Sequence, residues 1–190
     1  MTTMTQTTPG PAMPMAPTPG DPLRTDFVEA MRYTAASVAV VTTDGEAGRA
    51  GVTVSALCSL SADPPSVLVC VHQASPVLPT ILANGRLCVN LLTPEQTHVA
   101  DSFAGRIARW RSDRFSCAEW DEVPGGSPAL RGARARLHCK VAQQWPFGSH
   151  RILVGLVHPV DSTAGAGLLY ADRAYRTIGE QAPLRQEFYA

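Results

Sequence analysis

The chain has 190 residues, with 16 basic and 16 acidic side chains and a formal net charge of zero. Charged residues make up 17 % and apolar residues 45 %, too apolar for a disordered polymer and too balanced for a protein that lives on phosphate backbones. No run approaches the ~18 consecutive apolar residues of a membrane span, and no charged segment followed by an apolar stretch opens the chain. A soluble, cytoplasmic protein that binds neither membrane nor nucleic acid is the expectation.

The five cysteines (Cys58, Cys70, Cys88, Cys117, Cys139) are odd in number and show no C-x-x-C spacing, and the five histidines form no H-E-x-x-H pair. Free thiols in a reducing compartment, and no metal site, follow as the default.

Residues 1–24 are rich in Thr, Pro, Met and Gly, and their prolines forbid a regular helix, so they read as a disordered tail. The fold is expected to begin at Asp26, an N-cap with Glu29 at the capping-box position and Phe27, Ala30 and Met31 on one face. Strands follow over 37–43, 51–61, 66–72 and 86–92, with Asp44-Gly45 as a turn. Ser75-Pro76 opens a short helix that Gly85 closes, and Thr93-Pro94-Glu95-Gln96 opens another with a second capping box. After an Arg-rich loop (105–114) and a turn around Pro124-Gly125-Gly126, residues 133–142 alternate. Arg134, Arg136, His138 and Lys140 are expected out, with Ala135, Leu137, Cys139 and Val141 in. Strands over 151–160 and 168–176 complete the set.

Seven or so strands, three short helices and connections too brief for repeated βαβ crossovers predict a mainly β fold, a closed antiparallel barrel with short flanking helices. The domain is expected over 25–180, with a C-terminal extension over 181–190. Strands 66–72 and 86–92 are apolar on both faces, which predicts cover by helices or by a second subunit in a homodimer.

No G-x-G-x-x-G follows a strand, and neither a Walker loop nor a G-x-S-x-G elbow is present, so a Rossmann domain and an α/β-hydrolase drop out. Period two along 51–61 puts Thr53, Ser55, Ser59 and Ser61 on one face, either an ordinary polar face or a wall for a flat, heteroatom-rich ligand. The amides of Val77 and Leu78 with the Ser75 hydroxyl form either a plain helix cap or an anion site. His150, after Gly148-Ser149, is either structural or a site residue. Arg173-Ala174-Tyr175 either finishes a sheet or places a cation and a ring near a ligand. Arg106, Arg109, Arg111 and Arg114 form either a solvated charge run or an attractor for an anionic dinucleotide.

The order of these pieces is more specific than any one of them. Val38-Ala39-Val40-Val41-Thr42-Thr43, Gly51-x-Thr53-Val54-Ser55-Ala56, Ser59-x-Ser61, Asp63-Pro64-Pro65, Gly85-Arg86-x-x-Val89-Asn90, Phe103-Ala104-Gly105, Gly148-x-His150, Leu169-Tyr170 and Arg173-x-Tyr175-Arg176 together resemble the flavin reductase-like family. Its members are small reductase components of two-component flavin-dependent monooxygenases, and the resemblance covers about residues 26–178. It implies a split β-barrel homodimer that reduces FMN or FAD with NADH or NADPH and supplies reduced flavin to a partner monooxygenase. Carried over by position, Thr53, Ser55, Ala56 and Ser59 line the flavin ring and ribityl chain, and Ala74 and Ser75 fall at the flavin phosphate. His150 takes the catalytic position, ordering flavin and nicotinamide, and Tyr175 lies on the nicotinamide side. The phosphate segment departs from the family's basic residue, two serines and threonine, reading Gln73, Ala74, Ser75 and Val77 with Pro76 removing an amide. Ser149 stands where an Asp is common. The rival readings are a related barrel oxidase holding FMN tightly and a non-enzymatic flavin-binding module.

Overall fold

In the computed structural model of the chain, residues 21–123 and 126–178 are described. Helix α1 (Pro22–Met31) starts earlier than the Asp26 expectation. Asp21 caps it, its carboxylate accepting from the Leu23 amide at 2.9 Å, and Pro22 sits at the first helical position, where a missing N–H costs nothing. Residues 22–24, assigned above to the tail, therefore belong to the helix with Asp21 as its cap, and residues 1–20, the expected turn residues Pro124 and Gly125, and residues 179–190 lie outside the described residues. No residue of α1 is buried. Its end is held by Arg32, which donates to the Asp172 carboxylate at 2.7 Å while the Asp172 amide donates to the Arg32 carbonyl at 2.7 Å.

The strands are β1 (Ala36–Ser37), β2 (Ala39–Thr43), β3 (Ala50–Val54), β4 (Leu57–Ala62), β5 (Pro65–His72), β6 (Arg86–Leu91), β7 (Trp120–Asp121), β8 (Ala129–Leu130), β9 (Ala135–Phe147), β10 (His150–Ser162), β11 (Leu168–Ala171) and β12 (Ala174–Thr177). Helix α2 (Val77–Asn84) separates β5 from β6, and α3 (Thr97–Phe103) follows a 3-10 turn at Pro94–Gln96. Gly85 ends α2 with φ +65°, the left-handed cap that favours glycine. The Thr93/Gln96 capping box is formed, with the Thr93 amide donating to the Gln96 side chain at 3.1 Å.

Seven strands make one antiparallel sheet in the order β3-β2-β6-β9-β10-β5-β4. Its two end strands, β3 and β4, are consecutive in the chain and joined at Ser55-Ala56, so the ends of the sheet return to one corner and the barrel closes there. The expected single strand over 51–61 is thus two strands. The Leu57 amide turns back to the Ser55 carbonyl at 3.1 Å, and the serine and threonine stripe is broken at that corner. The last expected strand is a hairpin, β11–β12, whose turn residues Asp172 and Arg173 both have positive φ, and it pairs with β1 in a separate three-stranded sheet.

Every residue of β2 is buried, and its alternation divides the interior. Ala39 and Val41 join Val69, Val71, Ile81, Leu87 and Leu153 inside the barrel. Val40, with Val38, joins Leu92, Val99, Phe103 and Leu130 beneath α3. Both faces of β6 are consequently covered within the chain, so of the two expected covers for 86–92, helices or a second subunit, the chain's own elements supply it. His138 keeps its expected face, opposite Leu137 and Cys139, but is not solvent-facing. Segment 126–130 folds over its face of the sheet, leaving it 8 % exposed, and burial pushes its pKa down. Among the described residues, no helix is long and apolar enough to cross a membrane.

Candidate functional site

The barrel-closing corner places Ser55 and Ala56 between two adjoining clefts. One, of about 170 Å³, is lined by Val38, Thr53, Ser55, Arg106, Tyr170 and Tyr175 among others. The other, of about 350 Å³, runs from Ser55 and Ala56 past Tyr170 to the β11–β12 turn and the end of α1. They share Ser55 and Tyr170, and together fall within the ~300–1,000 Å³ of small-molecule and cofactor sites.

The Thr53 hydroxyl donates to the Ala100 carbonyl at 2.6 Å, which pins β3 to α3 and leaves the oxygen able to accept. Ser55 is exposed and its hydroxyl makes no side-chain hydrogen bond among the described residues. Tyr175 packs edge-on against Tyr170, ring centroids 5.6 Å apart, and donates from its phenol to Asp101 at 2.7 Å. Burial first, then the Asp101 bond, pushes the Tyr175 pKa up to about 12. Arg106 pairs with Asp101 at 3.0 Å.

A second group gathers where β5 and β10 end. His150 lies directly opposite His72 in the ladder, with the rings edge-on at 5.1 Å and the His150 Nδ1 2.9 Å from the Ser149 hydroxyl. The Cys70 amide donates to the Ala56 carbonyl at 2.9 Å, so the corner and this group flank the same end of β5. The structure thus brings Thr53, Ser55, Ala56 and Tyr175 together around the clefts, and gathers Ala74, Ser75 and His150 around His72 at the end of β5, outside the lining of both clefts. Ser59 is not brought in. It is exposed on β4 opposite Val67, three residues past the corner.

The helix start at Ser75-Pro76 is committed to its own fold. The amides of Gln73, Ala74 and Ser75 donate to the Ser149 carbonyl, the His72 Nδ1 and the His72 carbonyl, at 2.8, 3.0 and 2.9 Å. Those of Val77 and Leu78 donate back to Ser75, at 3.4 and 3.2 Å. Of the two readings of Val77 and Leu78, a plain helix cap or an anion site, the structure shows the cap, because Pro76 removes one amide and Ser75 accepts the next two. A flavin fits the corner through the Ser55 hydroxyl, the small Ala56 side chain and the paired tyrosines. On the phosphate side the chain offers few free backbone donors.

Sequence reasoning passed over Asp101 and His72. Both act through contacts made across the fold, to Tyr175 at a separation of 74 residues and to His150 across a ladder, which no local spacing signals.

Residues 31–179 match the family described as flavin reductase like domain. The chain belongs to this family. It is 40 % identical over 153 residues to FMN reductase (NADH) RutF 2 of Methylorubrum extorquens (strain PA1), covering 80 % of this chain and 88 % of that one. It is 39 % identical over 159 residues to the 4-hydroxyphenylacetate 3-monooxygenase reductase component of Salmonella dublin, covering 83 % and 94 %. The NADH:FAD oxidoreductase SgcE6 of Streptomyces globisporus, solved with NAD and FAD fragments, superposes with TM-score 0.76 at 26 % identity, covering 84 % of this chain and 95 % of that one. The expected split-barrel fold, oxidoreductase class and flavin-plus-nicotinamide requirement agree with this membership.

Proposed function

We propose that this flavin reductase-like chain transfers hydride from NADH or NADPH to FMN or FAD and supplies the reduced flavin to a partner monooxygenase. The observation that carries the reading is the pair of clefts meeting at Ser55 and Tyr170, on the corner where the barrel closes and where the family's flavin-wall residues fall. Flavin when bound supplies the hydride-accepting chemistry, and the chain supplies placement. Ser55 and Ala56 form the ring wall, Thr53 stiffens β3 behind it, and Tyr175 and His150 approach from the nicotinamide side. Ala74 and Ser75 serve the phosphate portion, where the committed amides favour a flavin that exchanges over one held permanently, and Ser59, away from the corner, takes no part in this reading. The functional domain is taken to begin with α1 at Pro22 and to run to about residue 180.

A homodimer accompanies this reading. Cys58, Leu68, Cys70, Ile152 and Trp145 share one outward face across β4, β5, β10 and β9, with Trp145 40 % exposed. Beside it β9 pairs with β6 only over 135–140, leaving the edge of its far half open among the described residues. A second copy would cover both. Light scattering should give the mass of two chains; a single-chain mass at micromolar concentration would refute the dimer.

The test of function is oxidation of NADH and NADPH with excess FMN or FAD, alongside flavin retention on purification. Turnover with free flavin and weak retention are expected. No oxidation of either nucleotide with either flavin overturns the reading.

A further inference from the structure

Asp101, on α3, accepts through one carboxylate oxygen from two residues of the cleft at once, from the Tyr175 phenol at 2.7 Å and from Arg106 Nη1 at 3.0 Å. The Arg106 amide also donates to the Asp101 carbonyl at 2.9 Å. One aspartate thus ties together α3, the loop after it and β12. It orients two of the cleft's walls, the Tyr175 ring lying edge-on to Tyr170 and the Arg106 guanidinium. The Arg106 side chain is 57 % exposed against 30 % for Asp101; beyond its bonds to Asp101 and the Tyr170 hydroxyl, the five-donor guanidinium keeps N–H groups for a ligand, while Asp101 Oδ1 is occupied by its two donors.

Charge and geometry make opposite predictions here. A carboxylate beside a nucleotide phosphate is repulsive, so electrostatics alone says that removing Asp101 tightens binding. An unanchored guanidinium and phenol lose their orientation, and binding weakens.

We propose that Asp101 is a positioning residue for the nicotinamide nucleotide: without touching it, Asp101 holds the Tyr175 ring as a cleft wall and turns the remaining Arg106 N–H groups toward a phosphate. This rests on the reductase reading above. Tenfold effects on binding with near-constant chemistry are the signature of such a role, because the reacting atoms keep their own contacts.

The test is steady-state kinetics of the full chain with NADH and saturating flavin for Asp101→Ala and Asp101→Asn, with NADH binding followed separately by fluorescence titration. In Asp101→Ala the NADH KM and dissociation constant should rise about tenfold, with kcat within about threefold. Asp101→Asn, whose amide oxygen still accepts from Tyr175, should fall between it and wild type. Tyr175→Phe added to Asp101→Ala should cost less than the two single changes combined. The Tyr175 phenol, followed by tyrosinate absorbance, should ionise at lower pH in Asp101→Ala than in wild type. NADH binding that is unchanged or tighter in Asp101→Ala overturns the proposal. A loss of turnover in both variants that tracks a fall in melting temperature makes Asp101 structural and also overturns it. If wild type oxidises no nucleotide the reductase reading fails on its own, and the NADH titration and the phenol's ionisation still decide the role of Asp101.

Discussion

Gly51 sits on β3 with no room for a side chain. A Cβ there would lie 2.5 Å from Phe103 Cε1, 2.8 Å from Cδ1 and 3.3 Å from the Val41 carbonyl oxygen. Ordinary carbon contacts are about 3.5–4.0 Å, so in Gly51→Ala the Phe103 ring has to move by about 1 Å. It has nowhere to go. Phe103 is 1 % exposed and wedged edge-on between Phe115 at 5.1 Å and Trp120 at 5.4 Å. Overpacking of this kind costs about 1–3 kcal/mol, and the lower backbone entropy of alanine in a strand returns about 0.5–1 kcal/mol. A net loss of about 1–2 kcal/mol is expected, which lowers the melting temperature by about 2–8 °C in a chain of this length. Urea denaturation followed by tryptophan fluorescence measures it directly, since Trp120 is in the packed cluster; the midpoint should fall with the slope unchanged. Phe103→Leu alone should destabilise by leaving a cavity, but combined with Gly51→Ala it should cost less than the sum. A Gly51→Ala variant as stable as wild type, or strict additivity in the double variant, would refute the steric argument.

Asn90 is fully buried; its amide donates to the Val40 carbonyl at 2.9 Å and its oxygen accepts from the Leu130 amide at 2.7 Å. Asn90→Ala orphans both and should cost about 3 kcal/mol by calorimetry; a loss below about 1 kcal/mol would contradict this. Burial pushes the Cys88 and Cys139 thiols up to about 12, and Tyr175 reaches about 12 as well. Each raised pKa favours the neutral folded form, so this stability is fully present below about pH 9 for the thiols and 10 for the phenol, and is lost as pH rises toward 12. Melting temperature should fall steeply over that window, and Cys88→Ala with Cys139→Ala should flatten the lower part of the fall; an unchanged profile in the double variant would count against it. His150→Ala should raise the nucleotide KM and slow hydride transfer about tenfold to a hundredfold without unfolding the chain. Rates and KM equal to wild type would leave His150 as a structural partner of His72.

The barrel was legible because it is written in short-range chemistry. A β-branched, apolar run marks β2, alternation marks the start of β9, Gly85 stops α2, and Thr93 with Gln96 announces the start of the helical segment that contains α3. What escaped is set by distant partners. The break at Ser55-Ala56 is invisible in a run whose alternation continues through it, because barrel closure and not local propensity turns the chain there. His138 reads as solvent-facing in a strand of alternating charges, and is buried because segment 126–130, with the Thr42 hydroxyl donating to the Pro128 carbonyl at 2.6 Å, covers that face. Thr53, Ser55 and Tyr175, which line one cleft, are singled out in the sequence by an ordered family resemblance. Asp101 offered no such handle, being one acidic residue on a short helix until β12 is laid across it.

The long β9–β10 hairpin is staggered. Only β9 touches β6, over 135–140, and only β10 touches β5, over 150–156. The sheet is therefore two partial sheets sewn by one local seam, and the seam sets an order of assembly. A hairpin closing around Gly148-Ser149 needs little loop entropy, whereas docking β5 and β6 on it joins strands that end by Leu91 to a hairpin that begins only at Ala135, made much later by a growing chain. Strands β2 to β6 are synthesised with open edges that the hairpin alone can bridge, so a chain halted before residue 150 carries an unclosed, adhesive sheet. Refolding followed at Trp145 should show the hairpin forming with or before burial of the interior; interior burial that precedes it would reverse this order.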